Sequence, residues 1–345
     1  MKRHIQKFCL LSIFSCLCSF AFGQKTWMGG DQQTDLARDL SFSKPGVLNK
    51  SRSKGLEITR GYSSGFSMFD RSRSNDAIGQ SQVDYVTSFR AKLKIPLLNK
   101  PSFKLLLGYE YADETYHFGQ ITGGQSSIFQ GLDGNTLKST RYTFYATKSF
   151  TEKYYAVFRA RASFNGDYDG MANFDHRYAI YSGIAAFGKK VSDSKEWGIG
   201  VSYSTGFRNT RIIPFLVYNQ TFNDKWGLEA ILPLQVMGRY NYSPKTLLLF
   251  GGEFTSNAYS VDLQQAPQDL ASVFHIRHAS IDASVTLQQQ IVPWIWLQAK
   301  GGYQLPFSTA VENTLQPELD FNATRGNNFF LRVGLFLSPP DKFMK

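Results

Sequence analysis

The chain has 345 residues, 15% of them aromatic, and carries 38 Lys and Arg against 27 Asp and Glu, a formal net charge of +11. The basic residues are scattered singly through aromatic-rich segments, with no dense basic run and no zinc-finger spacing, which argues against a nucleic-acid partner. All three cysteines, Cys9, Cys16 and Cys18, fall within the first 23 residues, so the chain after them has no disulfide and no thiolate metal site.

Lys2, Arg3 and Lys7 precede an apolar stretch from Phe8 to Phe22 that ends in the small-x-small triplet Ala21-Phe22-Gly23. This is the pattern of a secretory signal peptide over 1–23, cleaved before Gln24. A membrane anchor is the alternative, but the stretch is shorter than the roughly 20 residues a spanning helix needs, and QKTWMGGDQQTD after it lacks stop-transfer character. Ile13-Phe14-Ser15-Cys16 also reads as a poor lipoprotein cleavage site. Residues 24–53, rich in Asp, Ser, Lys and Gly, are expected to form a periplasmic lead segment.

From there the chain alternates with the period of a strand. A first strand is predicted over 54–62 and a second over 83–97. In the second, Val83, Tyr85, Thr87, Phe89, Ala91, Leu93 and Ile95 share one face, with Asp84, Ser88, Arg90, Lys92 and Lys94 on the other. The third, 103–113, sets Phe103, Leu105, Leu107, Tyr109 and Tyr111 against Lys104 and Glu110. After 140–150 comes 154–164, where Tyr154, Ala156, Phe158, Ala160, Ala162 and Phe164 oppose Arg159, Arg161 and Ser163. Further strands are expected at 178–189, 196–206, 210–222, 226–232, 235–242, 246–262, 274–290, 294–304 and 329–337. In 274–290, Ala279, Ile281, Ala283, Val285 and Leu287 oppose His278, Ser280, Asp282, Ser284, Thr286 and Gln288.

A soluble sandwich alternates too, so the connections decide. Short turns at Asn99–Ser102, Thr151–Lys153, Ser192–Glu196, Asn223–Lys225, Ser243–Lys245 and Ile291–Pro293 alternate with connections that are often longer, at Ser63–Gln82, Glu114–Ser139, Asn165–Asp175 and Leu305–Asn327. Such an arrangement places every short turn on one rim of a barrel. Phe150, Tyr154, Phe222, Trp226 and Tyr242 flank those turns, as amphipathic rings at a headgroup level would. The expected fold is an all-β, transmembrane, antiparallel up-and-down barrel over 54–338, followed by a tail, 339–345. Fourteen strands would return both termini to the periplasm. Twelve is the alternative, because Pro233 marks a weak division and Pro214 removes a ladder donor near the start of its strand.

The AFGQ leader end, the turns FTEKY and FNDKW and the last strand FFLRVGLFLS resemble the uncharacterised outer-membrane β-barrel families of Bacteroidota. That resemblance implies an outer-membrane location and carries no catalytic residue. The chain departs from the common pattern of ending on an aromatic, since SPPDKFMK follows the last strand.

No dinucleotide, P-loop, zincin or hydrolase-elbow motif occurs. His278 and Ser280 share a strand face, but it is the polar, inward one, which suits a hydrogen-bonded lumen better than catalysis. Asn165-Gly166-Asp167-Tyr168-Asp169-Gly170 lacks the downstream Glu of a calcium loop and reads as an external turn. No enzyme activity, cofactor or metal is expected; the partners are outer-membrane lipid and small solutes. The lumen is expected to be lined by Arg90, Lys92, Arg159, Arg161, Glu229, Glu253, Ser280, Asp282 and Lys300, with Lys94, Lys104 and Arg332 adding to a positive excess that favours anions if the lumen is open. The second reading is a structural or ligand-binding barrel whose lumen is filled, with the glycine-rich connection Glu114–Ser139 long enough to fold inward.

Overall fold

The computed structural model describes residues 47–71, 77–123, 126–262, 273–313 and 320–338. The expected signal peptide, the expected lead segment up to residue 46 and the expected tail 339–345 lie outside the described residues. The order of elements is β1 (Leu56–Arg71), β2 (Ala77–Lys100), β3 (Phe103–Gly123), α1 (Ser126–Leu132), β4 (Thr136–Ser149), β5 (Tyr154–Gly166), β6 (Ala179–Ser192), β7 (Lys195–Thr205) and β8 (Thr210–Thr221). It continues with β9 (Trp226–Leu232), β10 (Gln235–Ser243), β11 (Thr246–Asp262), β12 (Val273–Val292), β13 (Ile295–Asn313), β14 (Phe321–Arg325) and β15 (Asn328–Leu337).

Consecutive strands pair antiparallel from β1 to β13. β14 and β15 both lie between β13 and β1 in one unbroken register, Met68 facing Arg325 and Ser63 facing Phe330, and they form a single stave. The ring therefore closes as fourteen staves. Closure leaves no edge along that seam, which a membrane demands because unpaired N–H and C=O groups cost several kcal/mol in hydrocarbon.

Outward positions carry the apolar half of each alternation. Leu93, Ile95, Phe158, Ile199, Val285 and Leu335 are exposed on the wall, while the alternate positions Lys92, Lys94, Arg159, Ser284 and Thr286 are buried inside. Phe150, Phe222, Trp226, Tyr242 and Trp294 are exposed beside the short turns, and Tyr62, Tyr85, Tyr181, Tyr203 and Phe329 are exposed towards the other end of their strands. These are the two aromatic girdles of an outer-membrane barrel.

The expected outlines fail mainly at the extracellular end. β1 runs to Arg71, β2 starts at Ala77, β3 reaches Gly123 and β13 reaches Asn313, so much of three of the supposed long connections is strand, while Asn165–Asp175 remains a loop beyond Gly166. The alternation is lost there because the faces swap. On β1, Glu57 and Thr59 are buried below Gly65, and Phe66 and Met68 above it. A Cβ on Gly65 would stand 2.5 Å from the Asp84 carbonyl oxygen, so glycine is what lets β1 lie this close to β2 where the faces change. Val83, expected on the lipid face with Tyr85, lies beyond the swap and is 0% exposed in the interior.

The staves are also unequal. Those from β4 to β10 contain 7 to 14 residues, whereas β11 to β13 and β1 to β3 contain 16 to 24. About 9–11 tilted residues cross the hydrocarbon, so the tall staves rise well beyond it. The hairpin of β9 and β10 ends low, at Pro233 and Leu234, and β8 above Leu216 has no partner on that side. Pro214 sits in this one-sided stretch, where a missing donor is tolerated.

Above the hairpin, β11 and β12 lean inward. Phe254 and Ala279, on their outer faces, pack in one buried cluster with Val157, Ile184, Phe215 and Val217, which point inward from β5, β6 and β8. The lean ends where Ser260 meets Gly166 in a parallel bridge. Asp167 Oδ2 accepts the Asp262 amide at 2.9 Å beside it; burial raises the Asp167 carboxyl from its ordinary range, and that hydrogen bond opposes the rise.

Candidate functional site

The interior of the barrel contains three layers. At the periplasmic mouth, residues 47–55 run across the opening before entering β1. The Leu48 amide donates to the Asp193 carbonyl (2.8 Å), Thr221 and Arg239 donate to the Leu48 carbonyl, and Lys50 Nζ lies 3.3 Å from Glu196. Ser51 gives Glu229 both its amide (2.8 Å) and its hydroxyl (2.6 Å). Arg52 lies over the Trp296 ring, and Lys54 pairs with Glu57 and Gln298 on the far side. The segment thus touches β7 to β10 at one end and β13 at the other.

The middle layer is charged. Glu110 is its hub, with Arg141 at 2.8 Å, Lys92 at 3.3 Å and Arg90 at 3.4 Å. Arg161 donates to Thr143 at 2.9 Å, and Arg159 is buried one inward position below it on β5. Glu229 accepts from the fully buried Arg239 at 2.9 Å, and Lys300 pairs with Glu253. Ser280 donates to Asp282 at 3.2 Å, and Asp282 also accepts from Gln304. Both ring nitrogens of His278 are bonded away from Ser280, Nδ1 to Thr309 and Nε2 to Arg325. That arrangement gives no nucleophile and base pair.

The upper layer is apolar. The connection between β3 and β4 turns inward at α1, placing Phe129, 2% exposed, with Leu132 and Leu137 against Phe66, Met68, Val83, Tyr259, Val261, Val311 and Phe321. These residues come from staves all round the tall side, so the cluster spans the outer lumen there. Phe129 meets Phe118 and Phe321 at centroid distances of 5.7 and 6.1 Å.

Asn165 and Asp167 do not converge. Asn165 accepts from Ser139, and Asp167 accepts from the Asp262 amide. Among the described residues no group of three His, Cys, Asp or Glu side chains is placed to hold a metal. Sequence reading did not single out Lys50, Ser51, Arg52, Glu57, Glu196, Arg239 or Arg325. The first three lie in a segment with no periodicity, and the others gain meaning only from partners on neighbouring strands or in the mouth segment.

A closed antiparallel barrel with an apolar belt, two girdles and a polar interior defines a protein of the bacterial outer membrane. The chain belongs to a family described as a domain of unknown function, DUF6268, whose profile matches residues 132–318. No curated protein matches it by sequence. Among solved structures it is similar to a FadL homologue of Pseudomonas aeruginosa, at 10% identity and a TM-score of 0.41, with 90% of this chain and 99% of that one covered. It is also similar to the toluene transporter TodX of Pseudomonas putida, at 7% and 0.29, with 90% and 99% covered. The outer membrane protease OmpT of Escherichia coli follows at 7% and 0.30, with 85% and 100% covered. None of these likenesses is close enough to transfer an activity.

Proposed function

We propose that this barrel is a gated passage for small, preferentially anionic solutes across the outer membrane, and not an enzyme. The observation that carries this reading is the charge of the interior. Inward carboxylates at Glu57, Glu110, Glu114, Glu196, Glu229, Glu253 and Asp282 are outnumbered by the guanidinium and ammonium groups of Arg90, Lys92, Lys94, Arg141, Arg159, Arg161, Arg239, Lys300 and Arg325. Fixed positive charge within a low-dielectric wall concentrates anions and repels cations. In this reading residues 47–55 form the periplasmic barrier and α1 the extracellular one.

Reversal potentials of the mature barrel in a planar bilayer between unequal KCl solutions test the reading. Anion preference is expected, larger conductance after deletion of residues 24–53, and loss of preference in concentrated salt as the screening length falls from about 10 Å to about 3 Å. Cation preference would overturn it. A non-conducting structural or ligand-binding barrel is the second reading, favoured by the apolar cluster around Phe129. Silence in the bilayer from both the whole and the shortened chain would decide for it.

A further inference from the structure

A polar cavity of about 100 Å³ lies between residues 51–54 and the barrel wall. Arg52, Lys54, Lys92, Lys94 and Lys300 line it, against the carboxylates of Glu57, Glu229 and Glu253. The space is several times the roughly 10–15 Å³ that one water needs, enough for one tetrahedral oxyanion. The positive excess sets the sign of a ligand, and ammonium groups together with a guanidinium are the usual partners of phosphate oxygens.

One acceptor narrows the class further. Lys54 donates to both Glu57 and Gln298, and Gln298 Nε2 donates to Glu57 at 3.4 Å. Ionised Glu57 only accepts, so Gln298 must present its nitrogen there and its oxygen to Gln288, whose Nε2 donates to it at 3.1 Å. The Gln288 amide is thereby oriented, and its Oε1 is left buried with no partner in a residue 2% exposed that lines the cavity. A buried acceptor of this kind calls for a donor, at a cost of about 1–3 kcal/mol when none is supplied.

We infer that the chamber binds a small oxyanion that retains a proton, with hydrogenphosphate the simplest example. Its oxygens face the cationic side chains and its hydroxyl donates to Gln288 Oε1. Sulfate, with the same shape and charge, has no proton to give at neutral pH. The inference rests on the passage reading for access to the chamber. Because Ser51, Arg52 and Lys54 belong to the segment that crosses the mouth, the same residues that close the barrel complete the site.

Isothermal titration calorimetry of the purified mature barrel in detergent micelles tests this at neutral pH, with inorganic phosphate and sulfate at matched ionic strength and chloride as the balance. Saturable phosphate binding is expected, with sulfate weaker. Arg52→Gln, outside the barrel wall, should weaken phosphate by about tenfold, the scale of one charge-assisted hydrogen bond. Gln288→Met should bring phosphate down to the sulfate level and leave sulfate unchanged. No saturable phosphate heat, or equal binding of the two anions by the unaltered protein, would overturn the proposal. Phosphate binding by a barrel that never conducts would sink the passage reading and keep the site, whereas conductance without phosphate binding would sink the site alone.

Discussion

The inner and outer halves of the lumen are closed by opposite chemistry. Towards the periplasm the filling is Glu110 with its three cations, Glu229 with Arg239 and Ser51, and Glu253 with Lys300; towards the outside it is Phe129 among aromatic and branched side chains. Each half responds to damage differently. A buried charge that loses its partner leaves an uncompensated ion, so the polar half depends on every member. An apolar cluster loses only the area and the contacts of the side chain removed, so it yields by degrees.

The largest effect is expected from Glu110→Gln, which leaves Arg90, Lys92 and Arg141 facing one another without their shared carboxylate. A loss of about 3–5 kcal/mol is expected, read as a lowered temperature for the shift from folded to unfolded mobility on detergent gels. An unchanged transition would mean the hub is solvated and the contrast between the halves is false. Phe129→Ala should cost about 3 kcal/mol, spent locally, because α1 is a connection and not a stave. Limited proteolysis should therefore nick the segment between β3 and β4 faster, while the barrel itself melts nearly as before. Equal nicking rates would show that the cluster does not hold α1.

A finer test compares adjacent residues on one strand. The chain after residue 23 has no cysteine, so Val285→Cys and Ser284→Cys can be probed singly. A membrane-partitioning maleimide should label the former and spare the latter, which is buried inside. Equal labelling would contradict the face assignment. At the small end, Asp193→Asn removes an exposed carboxylate that Lys190 holds below its usual range. No measurable change in melting is expected, since exposed pairs contribute little and the Asp193 contact to residue 48 runs through its backbone carbonyl.

The staves were legible wherever one face met lipid and the other did not, which is why Ile281 to Gln288 and Tyr154 to Ala162 read so clearly. Even Pro233 correctly marked a division, at the low hairpin of β9 and β10. Above the membrane the rule lapses. Phe66 and Met68 turn inward where the outside is water, and the change of buried face around Gly65 shifts the parity that a periodic reading depends on. The inward lean of β11 was equally hidden. Ala279 obeys the outward alternation, yet it is 0% exposed because the inner faces of β5, β6 and β8 cover it. As for the mouth, Ser51 gives no local sign that its partner is Glu229, 178 residues away.

That separation has a consequence for the order of assembly. Residues 47–55 leave the secretion machinery before any stave exists, and their partners are 146 residues ahead at Glu196 and 244 at Gln298. Contacts so distant in sequence cannot form until the intervening chain has been organised, and the entropy of closing such long loops delays them further. The segment also leads straight into β1, whose seam with β15 is zipped by the last strand to be made. The first part of the chain described in the structure is thus the last to be seated. A barrel caught before that moment would be complete in its wall and open at its base, with Glu196 and Glu229 turned towards the periplasm and available to whatever cation arrives first.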